Sequence, residues 1–242
     1  MDAIKIDNLT KHYKNVVAVD DLSLSIKDGE LVSLLGVNGA GKTTTIKMLS
    51  CLTRPTSGDA YLFGKSILDE PSAVKAFIAV SPQETAVAPA LTTYENLALM
   101  CGVYGFRKSE SEKRIAETIQ KLGLESVRNR KAGKLSGGWQ RRLSIAMALI
   151  GQPKILFLDE PTLGLDVLSR SELWDIIRGL KGKITIILTT HYLEEAEALS
   201  DRVAIMGAGK LLVYDSVARI KEIAKTDDFE QAFITVVKGG MQ

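Results

Sequence analysis

Nine consecutive residues near the start of this 242-residue chain have the types and spacing to hold a triphosphate. Gly36-Val37-Asn38-Gly39-Ala40-Gly41-Lys42-Thr43-Thr44 fits the pattern G-x-x-x-x-G-K-[ST]. Glycines let the backbone wrap closely, so that its N–H groups converge on phosphate oxygens. The Lys42 ammonium is expected to reach the β- and γ-phosphates, and the Thr43 hydroxyl to ligate Mg²⁺. A helix starting at Lys42 would add its positive end to the same site. A second set lies downstream. Ile155-Leu156-Phe157-Leu158 is an apolar run that delivers Asp159 and Glu160. Asp159 is expected at the C-terminal edge of a buried strand beside the strand that feeds the glycine loop, where open α/β sheets bind ligands. It suits the Mg²⁺ shell. Glu160, one residue on, points differently and can polarise a water aimed at the terminal phosphate.

The elements around these residues must bring them to one edge. Leu31 to Leu35 is a short apolar run ending at the glycine loop, with a helix predicted from about Lys42. Upstream, Leu22, Leu24 and Ile26 alternate with polar residues, the pattern of a half-buried antiparallel strand, and Asp28-Gly29 makes a turn. Strands are predicted at Ile155–Leu158, Ile184–Leu188 and Val203–Met206, with helices at Ser169–Leu180 and Leu193–Leu199 between them. Such alternation implies a mostly parallel, buried sheet with helices on its faces. Residues 88 to about 133 carry no strand pattern. Thr92-Thr93 can cap a helix holding Leu97, Ala98, Met100 and Cys101, and Ile115, Ile119 and Leu122 sit at helical spacing in a charged segment. The expected organisation is one domain: an α/β core over 1–87 and 151–225 with an N-terminal antiparallel part, an inserted helical subdomain over 88–150, and a short helix and tail over 226–242.

A third motif narrows the class. Leu135-Ser136-Gly137-Gly138 precedes a helix containing Ser144, Ile145, Met147 and Ala148, and bare backbone plus a hydroxyl at a helix start is an anion site. With Gln83 before it, Gly164-Leu165-Asp166 and His191 after it, the chain resembles the nucleotide-binding subunits of ABC transporters. The likeness runs from about Ile4 to about Ser216, with the motifs in the family's order. The resemblance implies a P-loop NTPase core and Mg²⁺-dependent ATP hydrolysis. It implies adenine stacking on Tyr13, contact of Gln83 with Mg²⁺ or the attacking water, and His191 facing the γ-phosphate next to Glu160. It also implies a head-to-tail dimer, of two copies or with another such subunit, in which Ser136-Gly137-Gly138 covers the partner's nucleotide and Asp166 meets the partner's site. One departure is that Trp139 stands where the family usually has glutamine, followed by Gln140-Arg141-Arg142. That bulky residue and the Thr190-His191-Tyr192-Leu193-Glu194-Glu195-Ala196 run look like the branch that exports drugs, ions, lipids or peptides.

Composition bounds the partners. The formal net charge is +2, so no strong field favours nucleic acid. Two cysteines, Cys51 and Cys101, are too few for a disulfide framework and fit a reducing compartment. The first fifteen residues have no apolar segment of signal-peptide type, and no run approaches the roughly 20 apolar residues of a membrane span. The expectation is a peripheral subunit on the cytoplasmic face of the membrane, docked on an integral-membrane permease. The proline-bracketed, small and apolar segment Pro82–Leu91 and the helix after it, as far as Tyr104, are the expected docking region. The competing readings are a small importer subunit and a soluble ATPase of the same type that is not linked to transport. A plain phosphotransferase would have no use for Leu135–Gly138.

Overall fold

The computed structural model describes residues 1–240. In chain order its elements are strands β1 (Asp2–Tyr13), β2 (Val16–Lys27) and β3 (Leu31–Leu35), helix α1 (Lys42–Leu49), strands β4 (Ser57–Leu62) and β5 (Lys65–Ser66), helix α2 (Pro71–Lys75) and strand β6 (Ile78–Ser81). Helices α3 (Thr93–Val103), α4 (Lys108–Lys121) and α5 (Gly137–Leu149) follow, then β7 (Ile155–Asp159), α6 (Val167–Leu180), β8 (Thr185–Thr190) and α7 (Leu193–Leu199). The chain continues through β9 (Arg202–Gly207), β10 (Lys210–Asp215), α8 (Val217–Ala224) and α9 (Phe229–Gly240). Among the described residues, no helix is long and apolar enough to cross a membrane.

Two sheets form. The antiparallel sheet has the order β2-β1-β4-β5, and the alternation at Leu22, Leu24 and Ile26 places all three on its buried face. The six-stranded sheet has the order β10-β9-β3-β8-β7-β6. It is parallel except for β10, which returns antiparallel on β9 after the Ala208-Gly209 turn. β3, β7 and β8 are buried along their whole length, as strands covered on both faces must be.

The strand order corrects one expectation. β7, which carries Asp159, does not lie beside β3; β8 is hydrogen-bonded between them, with Leu31 opposite Ile186 on one side and Asp159 opposite Thr189 on the other. Three apolar strands of similar length and composition can be ordered only by their pairing, which a linear pattern does not contain. The consequence is that Thr189, at the end of β8, meets the acidic end of β7.

The helical segment forms where expected. Thr92 caps α3 in a reciprocal box with Glu95, satisfying two otherwise orphaned backbone donors. It is not a separate core, however. Leu97, Cys101, Ile115 and Ile119 share one apolar cluster with Leu156, Leu158, Ile186 and Leu188 of the sheet, and α5 bridges the two halves with Leu143, Ile145 and Ala146. Residues 229–240 are a helix that buries Phe229 and Ala232, with Phe233, Val236 and Val237 packed behind them, against Val203, Ile205 and Ile220. Those positions recur at helical spacing, so the apolar face is amphipathic and needs the sheet to cover it. The last two residues lie outside the described region.

Candidate active site

Four strand ends build one edge. The loop Gly36–Gly41 follows β3, His191 follows β8, Asp159 and Glu160 end β7, and Gln83 follows β6. Gly41 takes φ 101°, and a Cβ there would stand 2.5 Å from the carbonyl oxygen of Ala18. Only glycine fits a backbone that is left-handed and pressed on the β1–β2 hairpin. The helix α1 then begins at Lys42.

The Lys42 ammonium lies inside the loop. Its Nζ donates to the carbonyl of Gly36 at 2.7 Å and of Val37 at 3.3 Å, and sits 4.0 Å from Glu160 Oε1. Burial holds its pKa below the usual lysine value, against the pull of the Glu160 and Asp159 charges. Thr43 Oγ1 donates to Asp159 Oδ1 at 3.2 Å, and Thr189 Oγ1 donates to the same oxygen at 2.5 Å. Glu160 is a buried non-glycine residue at φ 48°. That uncommon conformation turns its side chain away from Asp159 and is held by two hydrogen bonds from its own N–H, to Thr189 O (3.1 Å) and Thr189 Oγ1 (3.0 Å). Its Oε2 lies 2.7 Å from His191 Nδ1. The structure therefore brings together Lys42, Thr43, Asp159, Glu160 and His191. A carboxylate set between an ammonium and an imidazole can accept a proton, and two hard oxygens on Thr43 and Asp159 can share a small divalent cation.

Other expected residues stand apart from that cluster. The Gln83 side chain is exposed and makes no hydrogen bond among the described residues; only its carbonyl is held. Tyr13 ends β1 as a largely exposed ring with the Lys11 ammonium 5.0 Å above it. Val37, Asn38 and Gly39 form the exposed crest of the loop, while Ala40 is buried and Thr44 half-buried in the first turn of α1. Ser136 and Gly137 are exposed at the start of α5, whereas Leu135 is buried. Gly138 presses on the start of α6, where a Cβ would meet Ser169 Oγ at 2.7 Å. Asp166 is the N-cap of α6: its carboxylate accepts from the N–H groups of Leu168 and Ser169, at 3.0 Å each, and those bonds hold its pKa below the usual carboxylate range.

Trp139 is partly buried on the shared core, under the Arg142 guanidinium 4.5 Å away. Gln140, the next residue, holds the loop ahead of the motif by donating to the carbonyls of Ala132 and Leu135 at 3.1 Å each. Three residues of this region have roles that the sequence did not assign. Thr189 carries the Asp159–Glu160 pair. Asn96 organises the loop after Gln83, accepting from the Ala88 N–H and donating to the carbonyls of Ala88, Leu91 and Thr92. Arg141 is buried on α5 and reaches three other segments. A threonine at a strand end and a polar residue within a helix carry no signal of their own, and only the fold shows what they meet.

This edge of a parallel sheet, with a glycine loop, a buried lysine and an acidic strand end, defines a P-loop nucleotide hydrolase. Comparison with known proteins is consistent with that class. Residues 19–163 match the model of the ABC transporter family. The chain is 41% identical over 225 residues to the doxorubicin resistance ATP-binding protein DrrA of Mycobacterium tuberculosis, covering 92% of this chain and 68% of that one. It is 40% identical over 223 residues to the phospholipid-transporting ATPase ABCA3 of Homo sapiens, covering 90% of this chain and 13% of that one. Among solved structures, the ATP-binding subunit of an ABC transporter superposes with a TM-score of 0.85 at 27% identity, over 97% of this chain and 99% of that one. A dimeric bacterial ABC transporter cassette superposes at 0.78 and 30% identity, over 88% and 98%. The chain belongs to the ABC transporter family. It is an ATP-binding subunit of that family and an ATPase.

Proposed function

We propose that this subunit works as one half of a head-to-tail ATPase dimer that drives export through a separate integral-membrane permease. The observation that carries this reading is the split of the site. Lys42, Asp159, Glu160 and His191 converge on one edge, while Ser136 and Gly137 lie exposed at the head of α5, outside that cluster. A second copy, or a related subunit, supplies the missing cover: Ser136-Gly137-Gly138 of one chain closes over the nucleotide held by the other chain's Gly36–Thr44 loop. Exposed Val37, Leu163, Val167 and Leu168 near both motifs are apolar surface suited to such an interface. The dimeric cassette among the structural neighbours supports the arrangement.

Within each site, Lys42 neutralises the β- and γ-phosphates. Thr43 and Asp159 hold Mg²⁺, which would offset charge on the phosphates. Their oxygens already share one hydrogen bond, and a Mg²⁺ site built on one or two protein oxygens plus phosphates needs no cage of acidic ligands. Glu160 orients or deprotonates the attacking water, His191 fixes the Glu160 carboxylate, Gln83 meets the Mg²⁺ or the water when the subdomain turns inward, and Tyr13 stacks on adenine. Asp166, while capping α6, presents that helix start to the partner. The permease docks in the groove between core and helical subdomain, on the cytoplasmic face of the membrane. A cavity of about 340 Å³ there is lined by Ile78, Pro82, Met100, Tyr104 and Met147, with Leu52, Leu99 and Val103 exposed around it. Export of an apolar or amphiphilic cargo is favoured by the likeness to drug-resistance and phospholipid-transporting proteins.

Mixed dimers test the composite site. A Lys42→Ala subunit paired with a Ser136→Arg subunit leaves one site free of both lesions. Each homodimer should be inactive, and the mixture should recover ATP turnover from that one site. A mixture as inactive as its parents would overturn the head-to-tail reading.

A further inference from the structure

Arg141 is 3% exposed, and every hydrogen bond it makes goes to main chain. Nε donates to Pro161 O at 2.8 Å and Nη2 to Asp159 O at 2.7 Å. Nη1 donates to Pro82 O and, at 3.4 Å, to Gln83 O. One planar fork on the helix that starts with Gly137-Gly138 thus holds the exits of two strands, β6 and β7. Glu160 lies between two of its acceptors. Burial lowers the guanidinium pKa to about 10, against the charges of Asp159, Glu195 and Glu160. A buried cation with four carbonyl acceptors is costly unless its geometry is kept, so the clamp resists distortion.

We propose that Arg141 is a positioning residue for hydrolysis, tying the Pro82-Gln83 exit and the Asp159–Pro161 turn to α5 so that Gln83 and Glu160 stay placed about the attacking water. This rests on the assignment of Glu160 as the group that acts on water. The tie links the helix that starts with Gly137-Gly138 to the turn that carries Glu160. The effect is on turnover and not on ATP capture, because Arg141 makes no hydrogen bond to the Gly36–Thr44 loop.

The test is Arg141→Lys, which keeps the charge but cannot span four carbonyls, alongside Arg141→Gln. ATP Kd should stay within about threefold of the unaltered protein, while kcat falls at least about tenfold. Amide exchange should separate positioning from general loosening. The N–H groups of Val87 and Leu163 are bonded in the turns that directly follow the two clamped segments, to Thr85 O and Glu160 O. In Arg141→Lys their exchange should quicken by about tenfold or more, with Ile187 in β8 unchanged. Unaltered kcat in Arg141→Lys would overturn the proposal, as would equal acceleration at Ile187. Should neither variant fold, the unaltered protein still decides: opening constants of Val87 and Leu163 that differ by more than about tenfold mean the segments do not move together. Glu160→Gln is assayed in parallel. Full turnover there removes the assignment of Glu160 and leaves the exchange result standing; full turnover in Arg141→Lys with an inactive Glu160→Gln removes the Arg141 proposal alone.

Discussion

Glu160 is held by strain and by neighbours at once. Its left-handed backbone is fixed through Thr189, and its carboxylate is shared between Lys42 and His191. Glu160→Gln keeps this shape and removes the charge, so ATP should still bind while turnover falls by about 10²-fold or more in a steady-state assay. Thr189→Val removes the donor to Asp159 Oδ1 and an acceptor for the Glu160 N–H in a near-isosteric change. It should lower stability by about 1–3 kcal/mol in denaturant unfolding, the cost of unsatisfied buried polar groups. Glu195, fully buried on α7, accepts from Trp174 Nε1 at 3.0 Å, and burial raises its pKa above the usual carboxylate value. The folded protein therefore holds that proton to higher pH than the unfolded chain does. Stability contributed by the proton is fully present below the unfolded carboxylate pKa and is lost as pH rises through the raised folded value. Glu195→Gln should remove this decline, seen as a flatter Tm against pH above the usual carboxylate pKa.

At the scale of elements, the loop between β6 and α3 is fixed by one buried side chain. Asn96 Oδ1 accepts from the Ala88 N–H, which has no other partner there, and its Nδ2 adds a second donor to carbonyls that backbone N–H groups already reach, those of Ala88, Leu91 and Thr92. Asn96→Ala should destabilise the fold by about 2 kcal/mol or more, and limited proteolysis should then cut between Gln83 and Leu91. The same loop narrows the proposed docking face. Val87 packs on the shared core and Leu91 is half-buried, with its carbonyl accepting from Ala132 N and Asn96 Nδ2, so neither is free for a partner. The free apolar groups lie one helix further on, at Leu99 and Val103 of α3, and at Leu52 after α1.

For the whole molecule, the helical subdomain shares its apolar core with the sheet, and α5 carries both Gly137-Gly138 and the Arg141 clamp on the ends of β6 and β7. β6 ends at the nucleotide edge and lines the proposed docking groove, so on that proposal a displacement at one is passed to the other. Leu99→Asp with Val103→Asp changes surface groups only. ATP affinity of the isolated subunit should be unchanged, while co-purification with the permease and transport fail together; a partner that still binds places the docking face elsewhere.

The chemistry was legible in the sequence wherever it needed a fixed local spacing. Gly36 to Thr44 must be contiguous because one loop wraps one phosphate chain, and Asp159-Glu160 must end an apolar strand to reach the same edge. The antiparallel part, the parallel sheet and the helical insertion were legible for the same reason, since periods of two and 3.6 are written along the chain. The amphipathic spacing of Phe229, Ala232, Phe233, Val236 and Val237 was equally present, but it becomes a packed helix only when the sheet offers a face to cover it. Tertiary structure alone decided that β8 separates β3 from β7, that Thr189 therefore braces the acidic pair, and that Arg141 binds four carbonyls from two strand exits. Strand order is set by which edges pair in space, and a residue that serves distant main chain leaves no spacing to read, because backbone carbonyls look the same whatever side chain they carry.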